Sequence, residues 1–122
     1  MLVVLDTSVL SDPNLTLVAK ELRRDPKLRF SISVITHFEI LWGYALANRE
    51  PVKYEKFLRA TKAEIIPLLQ TDAELSAGWR PEPADIRDAL IAAGVKRHDA
   101  TIWTRDSDFL KFLPREQVRL IH

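Results

Sequence analysis

The sequence VVLDTS, residues 3–8, decides the fold class of this protein. The apolar run at residues 2–5 is typical of a β-strand that is buried on both faces, and a carboxylate, Asp6, follows it at once. Strands of this kind belong to parallel sheets that helices cover on each side, and ligands of such sheets bind at the carboxyl ends of the strands. The stretch therefore favours an α/β fold and makes Asp6 a candidate site residue.

The rest of the chain alternates between helical and strand patterns. The pattern predicts strands at residues 2–5, 29–33, 65–69, 101–104 and 118–121, and helices at residues 15–24, 34–48, 51–60, 71–79 and 84–97. Strands that alternate with helices form mostly parallel sheets with helices on both faces. We therefore expect an α/β fold of this kind.

Length and composition limit the class of protein. The 122 residues, 47% hydrophobic and 29% charged, fit one compact domain over residues 1–122. No apolar stretch approaches the roughly 20 residues that cross a bilayer, so we expect a soluble cytoplasmic protein without membrane association. The absence of cysteine excludes disulfides, thiolate catalysis and cysteine–zinc sites. With a net charge of +1, local clusters of Lys and Arg would have to bind any nucleic acid.

Further acids lie in positions where a surface acid is unusual. Asp106 and Asp108 follow the fourth predicted strand, Glu39 lies at the border of a helix's apolar stripe, and Asp88 precedes five residues without a polar side chain. Partly buried carboxylates that crowd together repel unless a cation compensates them, and oxygen-only ligands favour Mg²⁺ or Mn²⁺. The pattern therefore predicts a metal site, and it suggests phosphodiester hydrolysis by a metal-bound water.

Each of these acids also has an ordinary structural explanation. Asp6 suits a turn or a helix cap, Glu39 an ion pair with a basic residue, and Asp88 the first turn of a helix. The metal site is the preferred interpretation because four such acids would each cost stability unless they shared a purpose.

Four segments in this order resemble the motifs of PIN-domain ribonucleases, in particular the VapC-type toxins of toxin–antitoxin pairs. They are LDTS at residues 5–8, SVITHFEILWG at 33–43, DALIAA at 88–93 and TRDSDF at 104–109. The resemblance implies a PIN-like α/β/α sandwich with a central, mostly parallel sheet. It also implies a Mg²⁺- or Mn²⁺-dependent endoribonuclease that a cognate antitoxin protein inhibits and that forms a homodimer.

The resemblance implies a role for each acid. Asp6, Glu39, Asp88 and Asp106 match the family's catalytic quartet, with Asp6, Asp88 and Asp106 as metal ligands and Glu39 orienting or activating water. Asp108 competes with Asp106 as a metal ligand, because TRDSDF departs from the family's usual last motif. The identity of the fourth site acid therefore stays open between these two.

Substrate contacts are expected from hydroxyls and basic side chains. Thr7 and Thr104 are placed where their hydroxyls support the ligands or contact phosphate, and Arg105 lies beside the acids, where it can meet a phosphate. Two basic clusters are further candidates for RNA contact, although such charges on helices are commonly only solvated. They are Arg23, Arg24, Lys27 and Arg29, and Lys53, Lys56, Arg59 and Lys62. Trp42, Tyr44 and Trp79 are candidates for base stacking or for an interface.

Other function classes fit the sequence less well. A phosphoacceptor receiver domain needs paired acids after its first strand, and a haloacid-dehalogenase-like phosphatase needs an Asp-x-Asp pair, whereas Thr7 and Ser8 follow Asp6. The complete acidic set speaks against a PIN-like module that only binds. A housekeeping PIN-domain nuclease that processes RNA remains the alternative to a toxin.

Overall fold

A computed structural model of the protein describes residues 1–10 and 12–121, without the side chains of residues 12–15 and 17. Five strands lie within these residues, and they are β1 (Leu2–Leu5), β2 (Arg29–Ser33), β3 (Glu64–Ile66), β4 (Thr101–Thr104) and β5 (Val118–Leu120). The same residues form five α-helices, which are α1 (Asp12–Arg24), α2 (Val34–Leu46), α3 (Val52–Thr61), α4 (Gln70–Gly78) and α5 (Ile86–Arg97). None of these helices is both long and apolar enough to cross a membrane.

The five strands form one parallel sheet in the order β3-β2-β1-β4-β5. The predicted bounds of β1, β2 and β4 agree with the structure, whereas β3 ends at Ile66 and not at residue 69. Pro67 follows Ile66 and has no N–H group to donate to a neighbouring strand, which explains the shorter strand. The parallel sheet confirms the α/β prediction.

Helices cover both faces of the sheet because side chains of each strand point alternately to the two sides. On one face, Val3 and Leu5 of β1 pack in a cluster with residues of α1 and α3, and on the other face Val4 packs in a cluster with residues of α5. Both clusters are well buried, and β1 contributes to each of them. This arrangement confirms the α/β/α sandwich.

The centre of the sheet determines where site residues meet. β1 and β4 are neighbours, and the N–H of Asp6 continues their pairing by donating to the carbonyl of Trp103 at 3.1 Å. α5 precedes β4 in the chain and runs back across the sheet, so its first turn lies at the edge where the strands end. Ala89 and Ala92 of α5 are fully buried, and their small side chains allow the helix to lie close to the strands. Asp88 is therefore brought to the same edge as Asp6.

Candidate active site

Asp6 directly follows β1, and hydrogen bonds hold its carboxylate in one orientation. The residue is only 3% exposed. Its Oδ2 accepts hydrogen bonds from Ser8 Oγ and Thr104 Oγ1, both at 2.8 Å, and its Oδ1 accepts one from Arg87 Nη2 at 3.0 Å. A buried carboxylate costs folding free energy unless hydrogen bonds and positive charge compensate it. Asp6 has both kinds of compensation.

Arg87 joins three of the predicted site acids. Its Nε donates to Glu39 Oε1 at 2.6 Å and its Nη1 to Asp88 Oδ1, while Nη2 donates to Asp6 Oδ1 and, at 2.8 Å, to Thr7 Oγ1. Burial alone would lower the pKa of Arg87, but the carboxylates of Asp6 and Glu39 raise it above its ordinary value. One charged guanidinium therefore holds together residues from β1's end, α2 and α5.

Asp88 lies in the first turn of α5 and is nearly buried, at 6% exposure. Burial raises the pKa of Asp88 from 3.8 to about 6; the guanidinium of Arg87 opposes this rise, and the negative charges of Asp106 and Asp6 add to it. Crowded carboxylates of this kind favour any further positive charge that can reach them. The environment of Asp88 is therefore that of a cation site.

Asp106 and Asp108 both lie close to Asp88. Asp106 caps the 3₁₀ segment Ser107–Lys111, since its Oδ1 accepts a hydrogen bond from the N–H of Asp108 at 2.8 Å, and its charge raises the pKa of Asp88. Carboxylate oxygens of Asp85, Asp88 and Asp108 lie within 4.8 Å of one another. The two acids between which the sequence left the choice open thus both adjoin Asp88.

Asp85 is a further acid of this group, and the sequence did not indicate it as a ligand. We call the space that these acids share at the edge of the sheet the pocket. It ends a 3₁₀ segment, Pro83–Asp85, directly before α5, and it is 7% exposed. Lys111 Nζ lies 2.9 Å from Asp85 Oδ2 and 3.4 Å from Asp108 Oδ1. The hydrogen bond to Asp85 raises the pKa of Lys111, and Asp108 contributes to the same effect. Lys111 is therefore a second basic side chain, besides Arg87, that contacts the acids of the pocket.

Two hydroxyls connect the end of β1 to the segment after β4. Thr104 Oγ1 donates to Asp6 and accepts a hydrogen bond from the N–H of Asp106 at 3.0 Å, and Ser8 Oγ donates to Asp6 and accepts from the N–H of Arg105 at 2.9 Å. Thr104 is completely buried. Of the two roles predicted for Thr104, support of a ligand agrees with these bonds, and contact with substrate stays a prediction.

Glu39 and Thr7 lie at the more open side of the pocket. The side chain of Glu39 is 31% exposed, and its Oε1 accepts hydrogen bonds from Arg87 and, at 3.3 Å, from Thr7 Oγ1. Glu39 is therefore tied to the acidic group while solvent still reaches it.

The chemistry of these donors suits a hard divalent cation. Six carboxylates surround the pocket within the described part of the chain, and two basic side chains, Arg87 and Lys111, contact five of them. The acids are Asp6, Glu39, Asp85, Asp88, Asp106 and Asp108. Carboxylate oxygens are the ligands that Mg²⁺ and Mn²⁺ prefer, and the surplus of negative charge remains after both basic residues are counted. The residues present thus fit the predicted metal.

The two basic clusters meet along the surface between α1 and α3. A groove of about 600 Å³ adjoins a second one of about 600 Å³, since Arg23 and Ala60 line both. The first is also lined by Lys20, Lys53 and Lys56, and the second by Arg29 and Lys62. We call these joined cavities the basic groove. Arg29 also lies 3.8 Å from Glu64, and Arg24 is 3.5 Å from Glu21, so acids compensate part of the charge.

The predicted interface aromatics have different environments. Trp42 is 55% exposed and stacks on Phe38, which is 63% exposed, with ring centroids 6.4 Å apart. Tyr44 packs against the core, and Trp79 stacks on Phe112. The exposed apolar side chains of α2, which we call the α2 face, are Val34, Phe38, Leu41, Trp42 and Leu46.

Three residues that contact the site acids were not indicated by the sequence, and they are Arg87, Ser8 and Lys111. Arg87 immediately precedes Asp88 in the first turn of α5, and Ser8 lies two residues after Asp6. A search for cations and hydroxyls next to each candidate acid would have found both. Lys111 lies 26 residues from Asp85, and only the tertiary structure joins them.

The sequence and the fold were compared with known proteins. Residues 3–112 match the PIN domain family. Among curated proteins, none matches the sequence at a significant level. Solved structures of similar fold include a toxin–antitoxin complex from Klebsiella pneumoniae, with a TM-score of 0.70, 24% identity and 96% and 95% of the two chains covered.

Two further structures resemble the chain over nearly their whole length. VapBC-1 from nontypeable Haemophilus influenzae has a TM-score of 0.70 at 18% identity, with 98% of each chain covered. VapBC2 from Rickettsia felis, bound to a DNA fragment from its promoter, has a TM-score of 0.65 at 21% identity, again with 98% of each chain covered. At these identities the likeness concerns the fold. The family match covers most of the sequence, and we conclude that the chain belongs to the PIN domain family.

Proposed function

We propose that this protein is a metal-dependent endoribonuclease and the toxin of a type II toxin–antitoxin pair. The observation that carries the proposal is the convergence of Asp6, Glu39 and Asp88, from three separate elements, on one guanidinium at the carboxyl edge of the sheet. Membership of the PIN domain family supports a nuclease. The likeness in fold to chains of two VapBC complexes and of a further toxin–antitoxin complex supports the role of a toxin.

We assign Asp6, Asp88 and Asp106 as the metal ligands, with Asp108 as the competitor of Asp106. The chemistry that Mg²⁺ or Mn²⁺ would supply at these residues is polarisation of the scissile phosphate and a lower pKa of a water molecule. Ser8 and Thr104 both donate to Oδ2 of Asp6 and fix its carboxylate, as hydrogen-bonding partners of metal ligands commonly do. The ligands are thereby oriented by the fold.

Glu39 is the residue assigned to the proton of the attacking water. Thr7 and Arg87 contact its Oε1, and the side chain is 31% exposed, so that water can reach the carboxylate that accepts the proton. The water oxygen then bonds to phosphorus while the bond from phosphorus to the 3′-oxygen breaks. The products are a 5′-phosphate and, after that oxygen takes up a proton, a 3′-hydroxyl.

RNA is the proposed substrate, and the basic groove supports this choice. Lys and Arg side chains along a groove attract the phosphate backbone regardless of sequence. Arg105, exposed beside Asp106, is the side chain assigned to a phosphate near the acids, together with the hydroxyl of Thr7. We also propose that the enzyme is cytoplasmic, which agrees with RNA as its substrate.

An antitoxin protein is the proposed partner, and we assign the α2 face to it. Exposed aromatic side chains close together on one helix are typical of protein interfaces. A homodimer remains a prediction, which light scattering of the purified protein can test. A housekeeping nuclease would need no antitoxin. Growth arrest on expression, relieved by Asp6→Asn and by a protein encoded next to this gene, would distinguish the toxin.

Cleavage of labelled RNA tests the proposed activity. We expect cleavage with Mg²⁺ or Mn²⁺, and loss of cleavage with EDTA, with Asp6→Asn and with Asp88→Asn. Glu74→Gln, which changes an exposed acid of α4, is the matched control and should cleave like the unmodified protein. Circular dichroism should show that all variants fold. Cleavage that persists in EDTA or in both site variants would contradict the mechanism.

A further inference from the structure

We propose that Arg87 is an internal counter-ion that competes with the divalent cation for the acids of this pocket. Its guanidinium must leave the carboxylates when a metal ion binds them. The inference rests on the metal site of the proposed function and adds a residue for which neither the sequence motifs nor the predicted ligands assign a role.

The contacts of Arg87 carry the inference. Each of its three guanidinium nitrogens donates to a different carboxylate, and two of these, Asp6 and Asp88, are the acids assigned to the metal. The bonds end on Asp6 Oδ1 and Asp88 Oδ1, so two of the oxygens offered to a metal ion are already engaged by a cation. The planar fork of arginine suits such simultaneous bonding to carboxylates.

A divalent ion and the guanidinium are unfavourable neighbours in this pocket. Both are positively charged, and partial burial of the carboxylates limits the screening between them. The pocket has two states, one in which Arg87 bonds the acids and one in which Arg87 has left them. A metal ion that binds only the second state shifts the protein toward it, and the more stable the first state is, the lower the measured affinity for the metal becomes. The bonds of Arg87 therefore lower the affinity of the pocket for metal.

The position of Arg87 allows such an exchange. Its side chain is 30% exposed, so the guanidinium can move toward solvent without opening the core. Asp6 is held by Ser8 and Thr104 as well, and these bonds do not involve Arg87. Asp6 can thus keep its orientation while the counter-ion is replaced.

Substitution of Arg87 by glutamine separates stability from metal affinity. We expect Arg87→Gln to melt at a lower temperature in EDTA, because the carboxylates lose their counter-ion. We expect the same variant to bind Mn²⁺ about tenfold more tightly, a change within the usual range of coupling between two ligands. Isothermal titration of the EDTA-treated protein with Mn²⁺ measures the affinity, and neither readout requires RNA cleavage.

Arg97→Gln is the matched control. Arg97 is 26% exposed and bonds the buried carboxylate of Asp72 at 2.9 Å, so it is an arginine–carboxylate pair of similar burial that lies in a different place. We expect this variant to melt at a lower temperature and to keep the Mn²⁺ affinity of the unmodified protein. If both Arg87→Gln and Arg97→Gln bound Mn²⁺ more tightly, the effect would come from a general loosening of the folded protein, and the inference would be overturned.

The remaining outcomes are also decisive. Equal or weaker Mn²⁺ binding by Arg87→Gln would overturn the inference and leave the metal site intact. Weaker binding would mean that Arg87 positions the acids for the metal. Mn²⁺ binding by Arg87→Gln, with no detectable binding by the unmodified protein, would support the inference. No Mn²⁺ binding by either the unmodified protein or Arg87→Gln would overturn both the inference and the proposed metal site. If Arg87→Gln does not fold, Arg87→Met, which keeps a long flexible side chain without the charge, should still bind Mn²⁺ more tightly than the unmodified protein, and unchanged affinity would refute the competition.

Discussion

Replacement of Thr104 by valine removes one hydroxyl from the site and keeps the shape of the side chain. The hydroxyl donates to the carboxylate of Asp6 at 2.8 Å and accepts from the N–H of Asp106 at 3.0 Å, and the residue is completely buried. A hydrogen bond to a charged group contributes about 1.5–3 kcal/mol and one between neutral groups about 0.5–1.5 kcal/mol. We therefore expect Thr104→Val to lower the free energy of unfolding by about 2–4 kcal/mol.

Thr104→Ser is the matched control for this change. Serine keeps the hydroxyl and loses one buried methyl group, which should cost about 1 kcal/mol. Urea denaturation followed by circular dichroism measures both variants, and a shift in midpoint at constant slope reports a change in stability alone. Loss of a residue that orients a metal ligand commonly costs about 10–100-fold in metal affinity or activity, so Thr104→Val should cleave RNA that much more slowly. Valine and serine variants of equal stability and equal cleavage rate would refute this reasoning.

Other parts of the molecule should respond to pH, to charge and to salt. Burial would raise the pKa of Asp72, but hydrogen bonds from Arg97 and from the N–H of Leu69 hold it below its ordinary value of 3.8. The stability that ionised Asp72 contributes is therefore complete above pH 3.8 and is lost as pH falls through the lower pKa of the folded state. Asp72→Asn should lower the melting temperature at neutral pH and lower it progressively less in acid. An equal loss of melting temperature at every pH in calorimetry would contradict this. Asp106→Asn should weaken Mn²⁺ binding and cleavage at least about tenfold and more than Asp108→Asn does, and the reverse order would transfer the ligand role to Asp108. Lys56→Ala should reduce the slope of the logarithm of RNA affinity against that of salt concentration by about 0.7, and an unchanged slope in filter-binding assays would place the RNA outside the basic groove.

Much of the fold could be predicted because its signals are local. Continuous apolar runs mark strands that are covered on both sides, and apolar residues at helical spacing mark the helices between them. Boundaries were less well predicted: β3 ends at Ile66 because Pro67 cannot donate to a neighbouring strand, whereas the apolar run at residues 65–69 favoured a longer strand. The start of α5 also differs from the predicted start at residue 84. Residues 83–85 form a 3₁₀ segment before Ile86, although Pro83 suits a helix start.

The candidate acids were also predictable, because each stands out against its immediate neighbours. Asp6 and Asp106 follow strands, and Asp88 adjoins an apolar run. Their partners were harder to find. Lys111 is one basic residue among many in the sequence, and nothing in its surroundings indicates that it contacts Asp85. The exposure of Trp42 and the burial of Thr104 likewise depend on how the helices and strands pack.

The sequence alone determined the alternation of strands and helices and the acids at the strand ends, since periodicity and neighbouring residues express both. Only the tertiary structure decided that Arg87 compensates part of the charge of these acids. Its bonds to Glu39 and Asp6 span 48 and 81 residues, and a charge pair of that separation exists only after the chain has folded. The attraction between two charged side chains depends on their distance in space, and their positions along the chain do not report that distance.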